Sequence, residues 1–197
     1  MRVTRQLQAE HRVAMLRQAS RLFRAHGLAG VSVADITHAA GLTHGAFYGH
    51  FDSKSAIAAE ACRESLTRAA ARWLDIAAQS GADPLAAVID AYLSESHRDQ
   101  PGGGCALAAL GAETVREPAI VPGLGDGTEA LLAALEQILA TARPALAAEH
   151  CPAAALAVLA AMNGGLQLAR ALAARPDRSL AALAAARHAA LRATDLP

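Results

Sequence analysis

The residue types best suited to chemistry cluster near the N-terminus. Thr43, His44, Tyr48 and His50 bring two hydroxyls and two imidazoles close together, interleaved with Gly45, Ala46 and Gly49. Nothing in this set has the spacing of a nucleophile with its base or of a metal-helix pair. It reads instead as hydrogen-bonding tips on a small-residue background, the kind of surface that lies against a nucleic-acid duplex. Thr43 and His44 fall at the start of a helical segment, where base edges and phosphates come closest. Gly45 and Ala46 let a helix sit deep, and Ala46 suits contact with a thymine methyl. The tips of Tyr48 and His50 suit phosphate oxygens, which fix position without reading sequence.

Two short helical patterns must hold these residues. Val33, Ile36, Ala39 and Ala40 recur at helical spacing, Ser32 precedes them as an N-cap, and Asp35 follows three positions later. Gly41 supplies the left-handed residue that ends a helix, and Leu42 is placed to fold back onto a core. Thr43 then caps a second helix in which Phe47 and Phe51 share one face. A helix of two or three turns does not hold itself together in water, so another element must support its apolar face. The stripe Val13, Leu16, Ala19, Ser20 and Phe23 predicts that element over about residues 11–26, ending at Gly27. Together these segments form a helix-turn-helix with the second helix as the reader of a major groove. The lone lysine, Lys54, follows Asp52 and Ser53 at the start of a long fourth helix reaching about Gln79. A cation there opposes the helix dipole, and a DNA phosphate would justify it. An ordinary exposed lysine is the plainer alternative.

The string from Gly41 to Lys54, with Tyr48-Gly49-His50-Phe51 and then Ser53-Lys54, resembles the signature of the TetR family of bacterial one-component repressors. The resemblance covers about the first third of the chain. It implies an all-α protein with a three-helix DNA-binding head (residues 1–53) and a helical effector-binding and dimerisation body (residues 54–197). It implies phosphate contacts for Tyr48, Lys54 and Ser32, the last equally suited to being a cap alone. Gly49 departs from a good helix sequence and loosens the pose of His50.

Whole-chain properties agree with a two-part protein. The chain has 197 residues, 53% of them hydrophobic but 3% aromatic, with alanine and leucine dominant. That composition favours helices, and the alternation of a half-buried strand is absent. The net charge of +0 conceals an asymmetry: residues 1–72 hold 10 Lys+Arg against 5 Asp+Glu, and residues 73–197 hold 8 against 13. A basic head on an acidic body suits a protein that presents one end to DNA. No charge-free apolar run of membrane-spanning length and no signal segment is expected, which places the protein in the cytoplasm. Cys62, Cys105 and Cys151 form neither a disulfide framework nor a zinc pattern. The eight histidines are scattered, so no catalytic residue, metal or cofactor is expected.

About nine helices are expected. Ser80–Pro84 breaks the fourth from a fifth that runs to about His97, and Pro101–Gly104 leads into a sixth near Cys105. Glu117–Gly127, rich in proline and glycine, reads as the longest loop, with a seventh helix over about Thr128–Ala142. Cys151–Ala174 and Asp177–Ala193 complete the set. A pocket between the fourth and eighth helices would gather Trp73, Tyr92, Cys105, Leu107, Glu113 and Met162 around an unidentified effector. Cys105 stands at a helix start, which favours a thiolate. Some TetR-like regulators sense electrophiles through such a cysteine, whereas a small residue packing a tight turn is the plainer alternative. Leu156, Leu159, Asn163, Leu166, Leu180, Leu183 and Leu191 would form a dimer interface of two helices from each chain, as the family does. The competing reading of the whole is an all-helical interaction protein that does not bind DNA.

Overall fold

Gly27 (φ 74°) and Gly41 (φ 70°) hold the left-handed backbone conformations among the described residues, and they divide the N-terminal part into helices. In the computed structural model, which describes residues 5–194, α1 (Arg5–His26), α2 (Val33–Ala39) and α3 (His44–Phe47) form the head. Gly41 turns the chain so that Leu42 N donates to Thr37 O at 2.8 Å. Met15, Leu16, Ala19 and Phe23 of α1 meet Ile36, Phe47 and Phe51 in one core. Val13, expected on that stripe, is 55% exposed, because it lies with Ala9 and Arg17 on the solvent face of α1. Residues 5–10, ahead of the expected helix start near residue 11, belong to α1; residues 1–4 lie outside the described ones.

α4 (Lys54–Gln79) leaves the head and runs through the body without a tether. Ser53 caps it by accepting from Ala56 N at 3.0 Å, and Asp83 caps α5 (Pro84–Tyr92) by accepting from Leu85 N and Ala86 N. The expected continuation to His97 is interrupted. Ser94 starts a separate short helix, α6 (Glu95–Asp99), with its side chain accepting from His97 N. A 3-10 turn at Pro101–Gly103, α7 (Ala106–Leu110) and two further 3-10 turns lead to α8 (Val121–Ala142). Then come α9 (Cys151–Ala171) and α10 (Pro176–Arg192). The class is all-α, with ten α-helices among the described residues.

The expected long loop at residues 117–127 is a correction. Most of it is the first turns of α8, with Pro122 in the first turn, where its missing N–H costs nothing. Its glycines serve packing. A Cβ on Gly123 would lie 2.0 Å from Ala59 O, and one on Gly127 would lie 2.7 Å from Leu66 Cβ. α8 therefore seats directly on α4. α9 and α10 approach in the same way at Gly165, where a Cβ would meet Ala186 Cβ at 2.0 Å. The segment 148–171, with mean hydropathy 1.4, is long and apolar enough to cross a membrane by length and composition, contrary to the expectation that no such run exists. Here it is a body helix, with Ala154, Val158, Met162, Leu166 and Ala169 fully buried.

Candidate nucleic-acid interface and effector cavity

The head presents its polar tips on one side. Ser32 and Asp35 form a reciprocal capping box: Asp35 N donates to Ser32 Oγ at 3.2 Å, and Ser32 N donates to Asp35 Oδ2 at 2.8 Å. Those bonds, the Ser32 hydroxyl first, hold the Asp35 carboxyl below its usual range. Thr43 begins α3 with no side-chain capping bond, so its exposed hydroxyl is available to a ligand. His44 and Gly45 are exposed beside it, Ala46 is half-buried, and a Cβ on Gly45 would meet nothing within 4 Å. α3 is shorter than expected: after Phe47 the chain closes through a turn in which His50 N and Phe51 N both donate to Phe47 O. Tyr48 is 61% exposed, its ring edge-on to His44 at 5.6 Å. His50 sits 6.4 Å from the His11 ring, and burial, then the neighbouring His11 and Arg12 charges, lowers its pKa.

Beneath this face the head is fastened to the body. The Arg12 guanidinium lies 4.7 Å over the Phe51 ring and bonds both oxygens of Glu60 on α4. Lys54 Nζ donates to Leu28 O at 2.8 Å and Val31 O at 3.2 Å, tying the α1–α2 loop to the start of α4. Glu113 closes the other side: its Oε2 accepts from Leu28 N at 2.9 Å. Arg24 crosses to the 3-10 turn, where Nε and Nη2 both donate to Gly102 O, at 3.0 and 2.7 Å. Its Nη1 donates to Ser65 Oγ on α4 at 2.6 Å and to Ser20 Oγ.

A cavity of about 260 Å³ lies between α4, α5, α6 and the turn at Gly103–Cys105. Trp73, Tyr92 and Cys105 line it as expected. Leu107, Glu113 and Met162 do not, and this is a correction. Met162 is fully buried among helices, Leu107 packs on the core, and Glu113 is engaged with the head. The expected eighth helix corresponds to α9, and no residue of α9 lines the cavity, which is walled by α4, α5, α6 and the glycine turn instead. Arg72 and His97 line the cavity unforeseen. Arg72 looks in sequence like any solvated helix arginine. The one signal for His97 is its place eight residues before Cys105, across the glycine-rich turn. His97 spans that turn, with Nδ1 2.7 Å from Tyr92 O and Nε2 accepting from Cys105 N at 2.9 Å. This pairing requires a neutral ring, with the proton on Nδ1, and burial lowers its pKa. Burial, with the Cys105 thiol beside it, holds the Tyr92 pKa well above its ordinary value.

Residues 15–61 match the sequence model of a family described as bacterial regulatory proteins, tetR family. The head therefore resembles the TetR family in sequence. The TetR likeness of the fold extends through the body. A TetR-family regulator from Cytophaga hutchinsonii superposes with TM-score 0.74 at 20% identity, covering 97% of this chain and 97% of that one. The reduced form of Escherichia coli NemR gives 0.71 at 18%, covering 90% and 95%. A TetR regulator from Chloroflexus aurantiacus gives 0.70 at 24%, covering 96% of each. No curated protein matches the chain. Residues around the TetR head thus occupy a helix-turn-helix, and the chain as a whole has the fold of a TetR-family transcriptional regulator.

On the outer helices the expected interface residues divide. Leu159, Leu166 and Leu183 are buried within the chain's own core and are not available to a partner, because α9 and α10 close the body at Gly165. Leu156 is 57% and Leu180 42% exposed, Leu191 is half-buried, and Asn163 Oδ1 is buried without a hydrogen-bond partner. Leu168, not anticipated, is 60% exposed. Among the described residues no group of three or more His, Cys, Asp or Glu is placed to hold a metal ion.

Proposed function

We propose that the protein is a cytoplasmic, dimeric transcriptional repressor that binds a palindromic operator and leaves it when a small molecule occupies the body cavity. The observation that carries this reading is the exposed face of the TetR-type head, where Thr43, His44, Gly45 and Tyr48 stand free around a short, supported helix. Thr43, His44 and Ala46 read bases. Ser32, Tyr48 and His50 address phosphates, and Lys54 has one N–H left for the same purpose after serving its two carbonyls. Leu156, Leu168 and Leu180, with Gly164 open beside them, give α9 and α10 an apolar outer face suited to a second copy. Two heads then reach half-sites about 34 Å apart per duplex turn.

A reversible ligand is favoured over covalent modification. Cys105 is 5% exposed, and the helix that follows it spans only Ala106–Leu110, too short for a substantial dipole. The test combines sedimentation with a duplex-selection experiment at several salt concentrations. A dimer that enriches a two-fold symmetric sequence and loses affinity steeply with salt is expected. A monomer that enriches no duplex even at low salt would leave the all-helical interaction protein as the better description. Treating wild type and Cys105→Ser with a mild electrophile completes the test, and equal operator binding by both is expected.

A further inference from the structure

Three guanidinium groups converge on the turn at Pro101–Cys105. Arg24 reaches it from α1 and bonds Gly102 O. Arg170 reaches it from α9, donating to His97 O at 2.8 Å and Arg98 O at 3.1 Å. Arg72 lines the cavity from α4 and makes no hydrogen bond or ion pair among the described residues. No Asp or Glu lines the cavity, and His97 cannot supply a charge while both its nitrogens are engaged. An enclosure with one sign of charge and low-dielectric walls concentrates ions of the opposite sign. The inner wall differs in character: Trp73, Ile76, Ala69 and Ala91 make it apolar. Into that wall is set one unsatisfied group. Tyr92 is 3% exposed, and its hydroxyl has no nitrogen or oxygen partner, only the weakly bonding Cys105 thiol beside it. A buried hydroxyl without a strong partner is costly, and a ligand oxygen would remove that penalty.

We propose that the effector is a small apolar carboxylate carrying a second hydrogen-bonding oxygen away from its acid group. The carboxylate pairs with Arg72, the hydrocarbon body packs on Trp73 and Ile76, and the second oxygen bonds the Tyr92 hydroxyl. This rests on the reading of the cavity as the effector site and adds the chemical class. It also gives occupancy a path to the head. The ligand would bear on Gly103 and Gly104, next to the carbonyl that holds Arg24 of α1.

Trp73 is the sole tryptophan, so its fluorescence reports occupancy of the free protein without DNA. The probes are UV-transparent hydroxylated cycloalkane and alkane carboxylates of graded size, their deoxy analogues and the matching primary amides. Saturable changes are expected with the acids, and binding about tenfold weaker or less with the amides. Arg72→Gln should abolish the preference for acid over amide. Tyr92→Phe, which removes an oxygen whose one weak contact is the Cys105 thiol, should weaken the hydroxy acids several-fold and leave the deoxy acids unchanged. Acids and amides binding alike, an Arg72→Gln protein that keeps the preference, or no saturation by any probe would each overturn the proposal. Duplex binding is measured separately on the same unliganded proteins. Its failure would strike the operator reading and leave the ligand result standing.

Discussion

Lys54 and His97 show how single residues here serve the scaffold before they serve a ligand. Lys54 holds two loop carbonyls, so Lys54→Ala should lower stability by about 1–2 kcal/mol and reduce the salt dependence of duplex binding by about one counterion. Denaturant titration checks the first effect and a salt series the second. An unchanged denaturation midpoint would show that the loop does not depend on the clasp. His97 makes stability depend on pH with a definite sign. Burial keeps its folded-state pKa below the ordinary histidine value of about 6.5, with the Arg170 and Arg72 charges acting in the same direction. The unfolded chain then takes up protons first as pH falls through about 6.5, and stability is lost below that point. His50 contributes in the same sense. Melting at pH 7.5 and 5.5 should show the loss, and His97→Gln should make the difference smaller. An undiminished difference would remove His97 from the pH dependence.

At the scale of elements, glycine carries two different messages. Gly27 and Gly41 end helices, as their positions in the sequence imply. Gly123 and Gly127 lie inside one, because only a missing side chain lets α8 rest on the α4 backbone. Gly123→Ala should therefore destabilise by about 1–3 kcal/mol through overpacking. Gly125→Ala, two residues away and with nothing within 4 Å of its added methyl, should stabilise by about 0.5–1 kcal/mol. Equal effects in thermal unfolding would remove the packing explanation. The same pair explains why residues 117–127 resemble a loop in sequence: local composition reports a break, whereas the helix is dictated by a partner far away in sequence. The head was legible because its signals are local, in the Ser32–Asp35 box, the turn at Gly41 and the Phe47–Phe51 spacing. The cavity was legible only in part. Trp73, Tyr92 and Cys105 stand out by type, but Arg72 and His97 acquire meaning only when α4, α6 and the glycine turn converge. Leu159, Leu166 and Leu183 were assigned outward because an Ala/Leu helix offers apolar residues on every face, and periodicity alone does not separate a core from an interface.

At the scale of the molecule, the open face of α9 and α10 is where the proposed dimer would form. Leu156→Glu with Leu180→Glu should give a folded monomer whose affinity for a symmetric operator falls on the order of 100-fold or more, since the second head is then no longer delivered by the first. Sedimentation and anisotropy together check this, and an unaltered dimer would place the interface elsewhere. The fastenings between head and body have a further consequence for synthesis. The first fifty residues leave the ribosome with Arg24 and the Leu28 N–H lacking their final acceptors, because Gly102 and Glu113 have yet to be made. The head, although translated first, thus completes its folding only after the middle of the body has emerged. A nascent chain arrested before Gly102 should remain sensitive to protease throughout α1, and one arrested well beyond Glu113 should not.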